Sequence, residues 1–216
     1  MNIILIGSSS DISQKLISEY KNIYNFIEIS SSKTNFDLQD EETFPIVNEG
    51  IDGLVYFPGT INLKSFNNLK VADFQNDYEI NFLGLIRVLK YYQKNLNNNS
   101  SIVLISSIAA SIGMPFHSSV SSCKSAVEGL CRSLAAEWSP KVRVNCISPS
   151  LIKSKLSKRF FAGKSQTEAM MKRHPLKRVG HPKDISNMIS FLLSDKSSWI
   201  TGQVLNIDGG LSKIKL

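Results

Sequence analysis

The sequence predicts one α/β domain built on a doubly wound parallel sheet. Short apolar runs alternate with amphipathic helical stretches from one end of the chain to the other. The runs are apolar almost throughout rather than at every second residue, as strands covered on both faces require. No linker, internal repeat or extended low-complexity tract interrupts the pattern, so residues 1–216 read as a single domain.

Residues 2–6 (NIILI) read as the first buried strand. Gly7-Ser8-Ser9-Ser10-Asp11 follows, then a helix to about Lys21 with Asp11 as its N-cap and Ile12 as its first residue. Residues 26–29 read as the second strand, and the next strand-like piece is Asn35-Phe36-Asp37-Leu38. Adjacent parallel strands need a crossover of a dozen or more residues, and only about five are available here. The edge strand is therefore expected to be missing or rudimentary, with Asp37 on a loop. Residues 51–57, 101–105, 142–147 and 203–207 read as the remaining strands, with helices at 71–95, 121–138 and 183–193.

Composition narrows the function. A chain that is 42% hydrophobic and 20% charged suits a soluble globular protein. No apolar run approaches the ~20 residues of a membrane-spanning helix. The N-terminus lacks the basic flank and small-residue cleavage site of a secretory signal. Cys123, Cys131 and Cys146 form no CxxC pair and no disulfide framework, which predicts a reducing, cytoplasmic location and no metal. The net charge is +7, yet nine basic residues stand between Lys153 and Arg178 against one acid, Glu168. One basic segment on a near-neutral body argues for a local anionic partner rather than nucleic acid, the alternative being a solvated lysine-rich helix.

Gly7 closes a strand and opens a helix, where a dinucleotide's pyrophosphate rests on helix N-terminal N–H groups. GSSSDIS is not a full GxGxxG, so the loop alone reads equally as a capped turn. Ser8, Ser9 and Ser10 could donate to phosphate. The carboxylate of Asp11 would be repulsive, by up to ~4 kcal/mol at roughly 4 Å and an effective dielectric near 20. The second strand ends in Ser30-Ser31-Ser32-Lys33, with no acid for a ribose 2′-hydroxyl, which favours NADP over NAD.

Residues 106–110 (SSIAA), 120–130 (VSSCKSAVEGL), 143–149 (RVNCISP), 175–185 (PLKRVGHPKDI) and 201–210 (TGQVLNIDGG) follow in order. Together they resemble the short-chain dehydrogenase/reductase family, in its ketoacyl-reductase-like branch, over essentially the whole chain. The resemblance implies a Rossmann fold, NADP or NAD as cofactor, hydride transfer at a carbonyl or alcohol, and a homodimer or homotetramer. It makes Asn81 the helix Asn of the catalytic set, Ser107 the substrate-orienting Ser, and Lys124 the Lys that holds the nicotinamide ribose. Gly7, Ser9, Ser10, Asp11, Ile12, Ser31, Lys33, Asp37, Leu38, Phe57, Gly59, Pro149, Ile152 and Ser154 become candidate cofactor contacts. The basic segment, at about 150–178, coincides with the family's substrate lid.

The same resemblance brings departures. The family's catalytic Tyr falls at Val120, two phosphate-loop glycines at Asp11 and Ser13, Asn-Asn-Ala-Gly at residues 56–59 (YFPG), and a Gly at Ser150. A phenol supplies the proton an alkoxide needs, and losing such an acid costs typically ~10²–10⁴-fold in rate. Positions 120 and 124 share a helix face that 117 and 123 neighbour. His117 is a candidate substitute acid or a plain loop histidine. Ser118, Ser119 and a water relay are other candidates, while Cys123 reads as a packed small residue and His174 and His181 as structural.

The sequence thus predicts a slow or rewired oxidoreductase acting on the carbonyl of an anionic small molecule or an acyl carrier. The alternative is a cofactor-binding or structural homologue without activity; a lyase or isomerase using Ser107 is a third reading.

Overall fold

Ile3, Ile4, Leu5 and Ile6 are all fully buried, the pattern of a strand covered on both faces. In the computed structural model, which describes residues 1–215, they lie in β1 (Asn2–Ile6) of a six-stranded parallel sheet. Its other strands are β2 (Asn25–Ile29), β3 (Ile51–Tyr56), β4 (Leu96–Ile105), β5 (Val142–Pro149) and β6 (Val204–Ile207). The order is β2-β1-β3-β4-β5-β6, so the chain direction across the sheet reverses between β1 and β3. Ligands of open α/β sheets bind at such a switch point, outside the carboxyl ends of the strands.

Helices cover both faces. On one, α1 (Asp11–Tyr20) and α7 (Pro182–Leu193) press Leu16, Ile185, Ile189 and Leu192 against Ile3, Leu5, Val55 and Val103. On the other, α4 (Gly84–Tyr92) and α5 (Ser118–Trp138) press Leu85, Val88, Val127 and Cys131 against Ile4, Ile6, Leu54 and Tyr56. Each fully buried aliphatic side chain contributes about 1.5–3 kcal/mol relative to exposure.

As expected, no edge strand follows β2 among the described residues. After β2 the chain makes one helical turn, α2 (Ser31–Thr34), and reverses at Asn35 in the left-handed region (φ 52°). Asp37 bridges only to Asp40, on a loop. Phe36 and Phe44, both buried, pack with ring centroids 4.7 Å apart, and Phe44 meets Tyr91 edge-on at 5.3 Å. An aromatic cluster thus covers the sheet where a crossover would otherwise run, and β2 is the sheet edge.

Several local expectations are corrected. Ser10, not Asp11, caps α1: its Oγ accepts the Ser13 N–H at 3.2 Å, and Asp11 is the first helical residue. β4 starts at Leu96 rather than 101, because Leu96 pairs with Ile51 through a register shift. The stretch 71–95 is not one uniform helix; α3 (Val71–Tyr78) leads into a π-helical turn at Glu79–Leu83 before α4. The basic segment contains a helix of its own, α6 (Lys164–Arg173), with no buried residue.

Candidate active site

The β1–α1 turn needs its glycine. Gly7 has φ +77°, and a Cβ there would stand 3.0 Å from Pro58 Cδ. With Ser13 N–H bound to Ser10, the N–H groups of Asp11 and Ile12 have no acceptor among the described residues and remain available at the helix N-terminus. The Asp11 carboxylate does not occupy that position. It accepts the backbone N–H of Lys155 at 2.5 Å and lies 3.9 Å from the Lys155 ammonium. Ser9 and Ser10 line the adjoining cavity, whereas Ser8 is fully buried and does not.

Beyond β3, Gly59 gives access to two buried polar side chains. A Cβ on Gly59 would lie 3.1 Å from Asn81 Oδ1 and 3.3 Å from Lys124 Nζ, so only glycine leaves that space open. Asn81 sits in the π-helical turn, a local widening frequent at functional sites. Lys124 projects from α5 and donates to Ile105 O at 2.9 Å. Burial pushes its ammonium down to about 8, the neighbouring Cys146 and Cys123 thiols opposing that shift. Burial in turn pushes the Cys123 thiol up to about 11, consistent with a packed, unreactive residue.

Ser107 follows β4 and caps a short helical turn, its Oγ accepting Ala109 N–H at 3.2 Å, which leaves the hydroxyl hydrogen free. Val120, 5% exposed, stands one turn before Lys124. His117 Nδ1 donates to Pro115 O at 2.7 Å, a carbonyl that can only accept, so Nε2 is the nitrogen left for other chemistry.

The basic segment folds over this opening as a flap closed at its base by paired backbone. Lys153 N–H donates to Gly180 O at 2.8 Å and Gly180 N–H to Leu151 O at 3.0 Å. Buried His174 fastens the end of α6: Nδ1 donates to Met170 O at 2.8 Å, and Nε2 accepts from Ser150 Oγ at 2.9 Å. Arg178 is not free, being held bidentate by Asp184 at 2.7 and 2.8 Å, and Asp184 also accepts the His181 N–H that starts α7. The Arg178 contact holds the Asp184 carboxyl below its usual range.

One cavity of about 1180 Å³ joins all these parts. Gly7, Ser9, Ser10, Asp11, Ile12, Ser31, Asp37, Leu38, Phe57, Gly59, Pro149, Ile152 and Ser154 line it, with Ser107, His117, Val120 and Lys124. Two candidates lie elsewhere: Asn81 is fully buried behind Gly59, and Lys33 is outside the lining, drawn into an ion pair with Glu28. Sequence reasoning missed the flap's apolar contribution (Leu156, Phe160, Met170) and the buried Asp77 with half-buried Thr60 beside Asn81; Ser119, a candidate donor in the sequence, is fully buried with its hydroxyl hydrogen given to Asp77. An acid four residues before Asn81, hence on the same helix face, was the available signal for Asp77.

The residues fit a dinucleotide. The volume exceeds the ~300–1,000 Å³ of ordinary ligand pockets, the α1 N–H groups are free to meet phosphate, and Gly59 leaves Lys124 uncovered. Among the described residues, no group of three His, Cys, Asp or Glu side chains could hold a metal ion, and no helix is long and apolar enough to cross a membrane.

Comparison with known proteins agrees with this geometry. The family model described as enoyl-(acyl carrier protein) reductase matches residues 41–212. The 3-oxoacyl-(acyl-carrier-protein) reductase FabG of Buchnera aphidicola subsp. Baizongia pistaciae is 32% identical, over 97% of this chain and 87% of its own. A tropinone reductase homolog of Arabidopsis thaliana is 42% identical over 52% of this chain and 43% of its own, so that match spans less than half of the plant protein. Among solved structures, a short chain dehydrogenase family protein from Francisella tularensis subsp. tularensis SCHU S4 superposes with TM-score 0.87 at 23% identity, covering 99% of both chains. ElxO with NADP bound superposes with TM-score 0.82 at 27% identity, covering 97% of this chain and 98% of its own.

Proposed function

The chain belongs to the short-chain dehydrogenase/reductase family, and from that premise we propose that it is an NADP- or NAD-dependent oxidoreductase acting on a carbonyl or alcohol whose molecule carries an anionic end. The observation that carries this reading is the single cavity in which a helix N-terminus, Lys124, Ser107 and a basic flap meet. The dinucleotide, when bound, supplies or takes the hydride. The free N–H groups of Asp11 and Ile12 would hold its pyrophosphate, and Lys124 would hold the nicotinamide ribose. Ser107 donates its hydroxyl hydrogen to the substrate oxygen.

The substrate's character follows from the lining. Leu63, Met114, Leu156, Phe160 and Met170 offer an apolar wall, and Lys155 and Arg173 are the flap cations among the lining residues. That combination suits an apolar body with a phosphate or carrier-borne end. An acyl chain on an acidic carrier is such a molecule, and the carrier-linked reductase FabG supports it. The NADP-bound ElxO supports NADP, as do the Ser30 and Ser31 hydroxyls; Lys33 would have to leave Glu28 to join them.

Val120 stands where the family's phenol acts, so the proton must come from elsewhere. His117, one turn away, is the donor we assign: with Nδ1–H held by Pro115 O, Nε2 gives a proton only from the imidazolium form, which returns to the neutral Nδ1–H tautomer, and turnover is correspondingly slow. The same valine favours a second reading, a cofactor-binding homologue without activity. The deciding experiment follows NADPH oxidation across a panel of carbonyl substrates, carrier-linked acyl groups included, for wild type and Val120→Tyr. Slow turnover by wild type and faster turnover by Val120→Tyr supports the oxidoreductase. No turnover by either, with NADPH still bound, selects the inactive homologue.

A further inference from the structure

Asp77 is a buried carboxylate, 3% exposed, with no cationic partner among the described residues. It takes instead two short hydroxyl hydrogen bonds, from Thr60 Oγ1 to Oδ1 and from Ser119 Oγ to Oδ2, each 2.6 Å. Such distances are those of charge-assisted O–H···O⁻ bonds. A carboxylate can only accept, so the Thr60 hydrogen is committed to Asp77. Thr60 Oγ1 must then accept from Asn81 Nδ2, at 2.8 Å, and the second hydrogen of that amide goes to Asp77 O at 2.7 Å. With both amide hydrogens spent, Asn81 Oδ1 takes a long bond from the Thr60 backbone N–H at 3.4 Å and faces Gly59, where it and Lys124 Nζ approach the same point.

We infer that Asp77 is a positioning residue: acting through the Thr60 hydroxyl, together with its own backbone carbonyl, it holds the amide of Asn81 so that a carbonyl oxygen, never an N–H₂ group, faces the Lys124 ammonium. Through Ser119 the same carboxylate ties α3 to the first turn of α5, the turn that ends at Val120 and precedes Lys124. The arrangement keeps the ammonium charged at a site whose burial opposes the charge. The significance of Lys124 rests on the function proposed above, but the wiring does not, and it can be tested without cofactor or substrate.

Replacing Asp77 alone would be ambiguous, because removing its negative charge also disfavours a nearby ammonium. Thr60→Val separates the two effects: it keeps the charge and the side-chain shape and removes only the relay. The other groups around Lys124 are the Cys123 and Cys146 thiols, which burial keeps protonated, and Glu128 one turn on, held by Ser106 Oγ at 2.8 Å. None of these is altered by the substitution.

The experiment is an NMR titration of Lys124 in the cofactor-free protein carrying ¹³Cε-lysine, with the resonance assigned by its absence in Lys124→Met. The expected result is that Lys124 titrates lower in Thr60→Val than in wild type, by about 0.5–1 pH unit, and lower again in Asp77→Asn. Unfolding of Asp77→Asn would leave the Thr60→Val comparison decisive. Lys124 titrating in Thr60→Val as it does in wild type overturns the inference, whether or not the protein proves to be an active reductase.

Discussion

The Asp11 carboxylate accepts the backbone N–H of Lys155 at 2.5 Å and so joins the β1–α1 loop to the flap across 144 residues of chain. A negative charge in the first turn of a helix that is to hold pyrophosphate is repulsive; directed at the flap, it fastens the cavity while still opposing the positive potential of the helix N-terminus. Asp11→Asn removes the charge and weakens the fastening. NADPH should then bind roughly 3–10-fold more tightly, with the gain shrinking at high salt. Fluorescence titration at two ionic strengths measures this, and weaker binding by the variant would refute it.

His117→Gln should lower the wild-type reductase rate by about 10–100-fold if Nε2 delivers the proton. In the Val120→Tyr background the same change should have little effect, because the phenol then serves. Equal sensitivity in both backgrounds, read from steady-state rates, would remove His117 from the proton path.

Lys124 costs stability for its site. Its ordinary value of 10.5 falls to about 8 in the folded chain, so the folded state gives up its proton first. Below pH 8 both states carry the charge and the penalty, about 3 kcal/mol, is complete; it is relieved as pH rises from 8 towards 10.5. Lys124→Met should therefore stabilise the protein near neutrality, by about 2 kcal/mol once the lost bond to Ile105 O is counted at about 1 kcal/mol. The gain should vanish in alkaline solution. Urea melts across that pH range test the sign, and a gain that grows with pH would contradict it.

The aromatic cover over the shortened edge should be costly to breach. Phe36→Ala opens a cavity beside Phe44, and about 3–5 kcal/mol of destabilisation is expected in the same urea melts. A loss under about 1 kcal/mol would mean that the loop, not the ring, covers the sheet.

The strands and long helices were legible because buried parallel strands are continuous apolar runs, and the missing edge strand was legible from chain length alone, since five residues cannot cross a sheet. The capping residue was not: Ser10 and Asp11 are both good caps, and only the Ser10 Oγ bond to Ser13 N–H distinguishes them. Lys33 looked like a phosphate ligand because sequence cannot show that Glu28, five residues earlier, already holds it. Asp77 escaped for the opposite reason. An acid on a helix ordinarily faces water, and its burial becomes evident only once Thr60 and Ser119 arrive from two other segments.

The central claim is that a dinucleotide occupies the cavity between α1 and Gly59. The direct measurement is a fluorescence titration of NADPH, with NADH in parallel, against wild type and Gly59→Val, whose added side chain would meet Asn81 Oδ1 and Lys124 Nζ. Saturable micromolar NADPH binding by wild type, lost in a folded Gly59→Val, is the predicted result. Failure of wild type to bind either nucleotide, or equal binding by the variant, would contradict it.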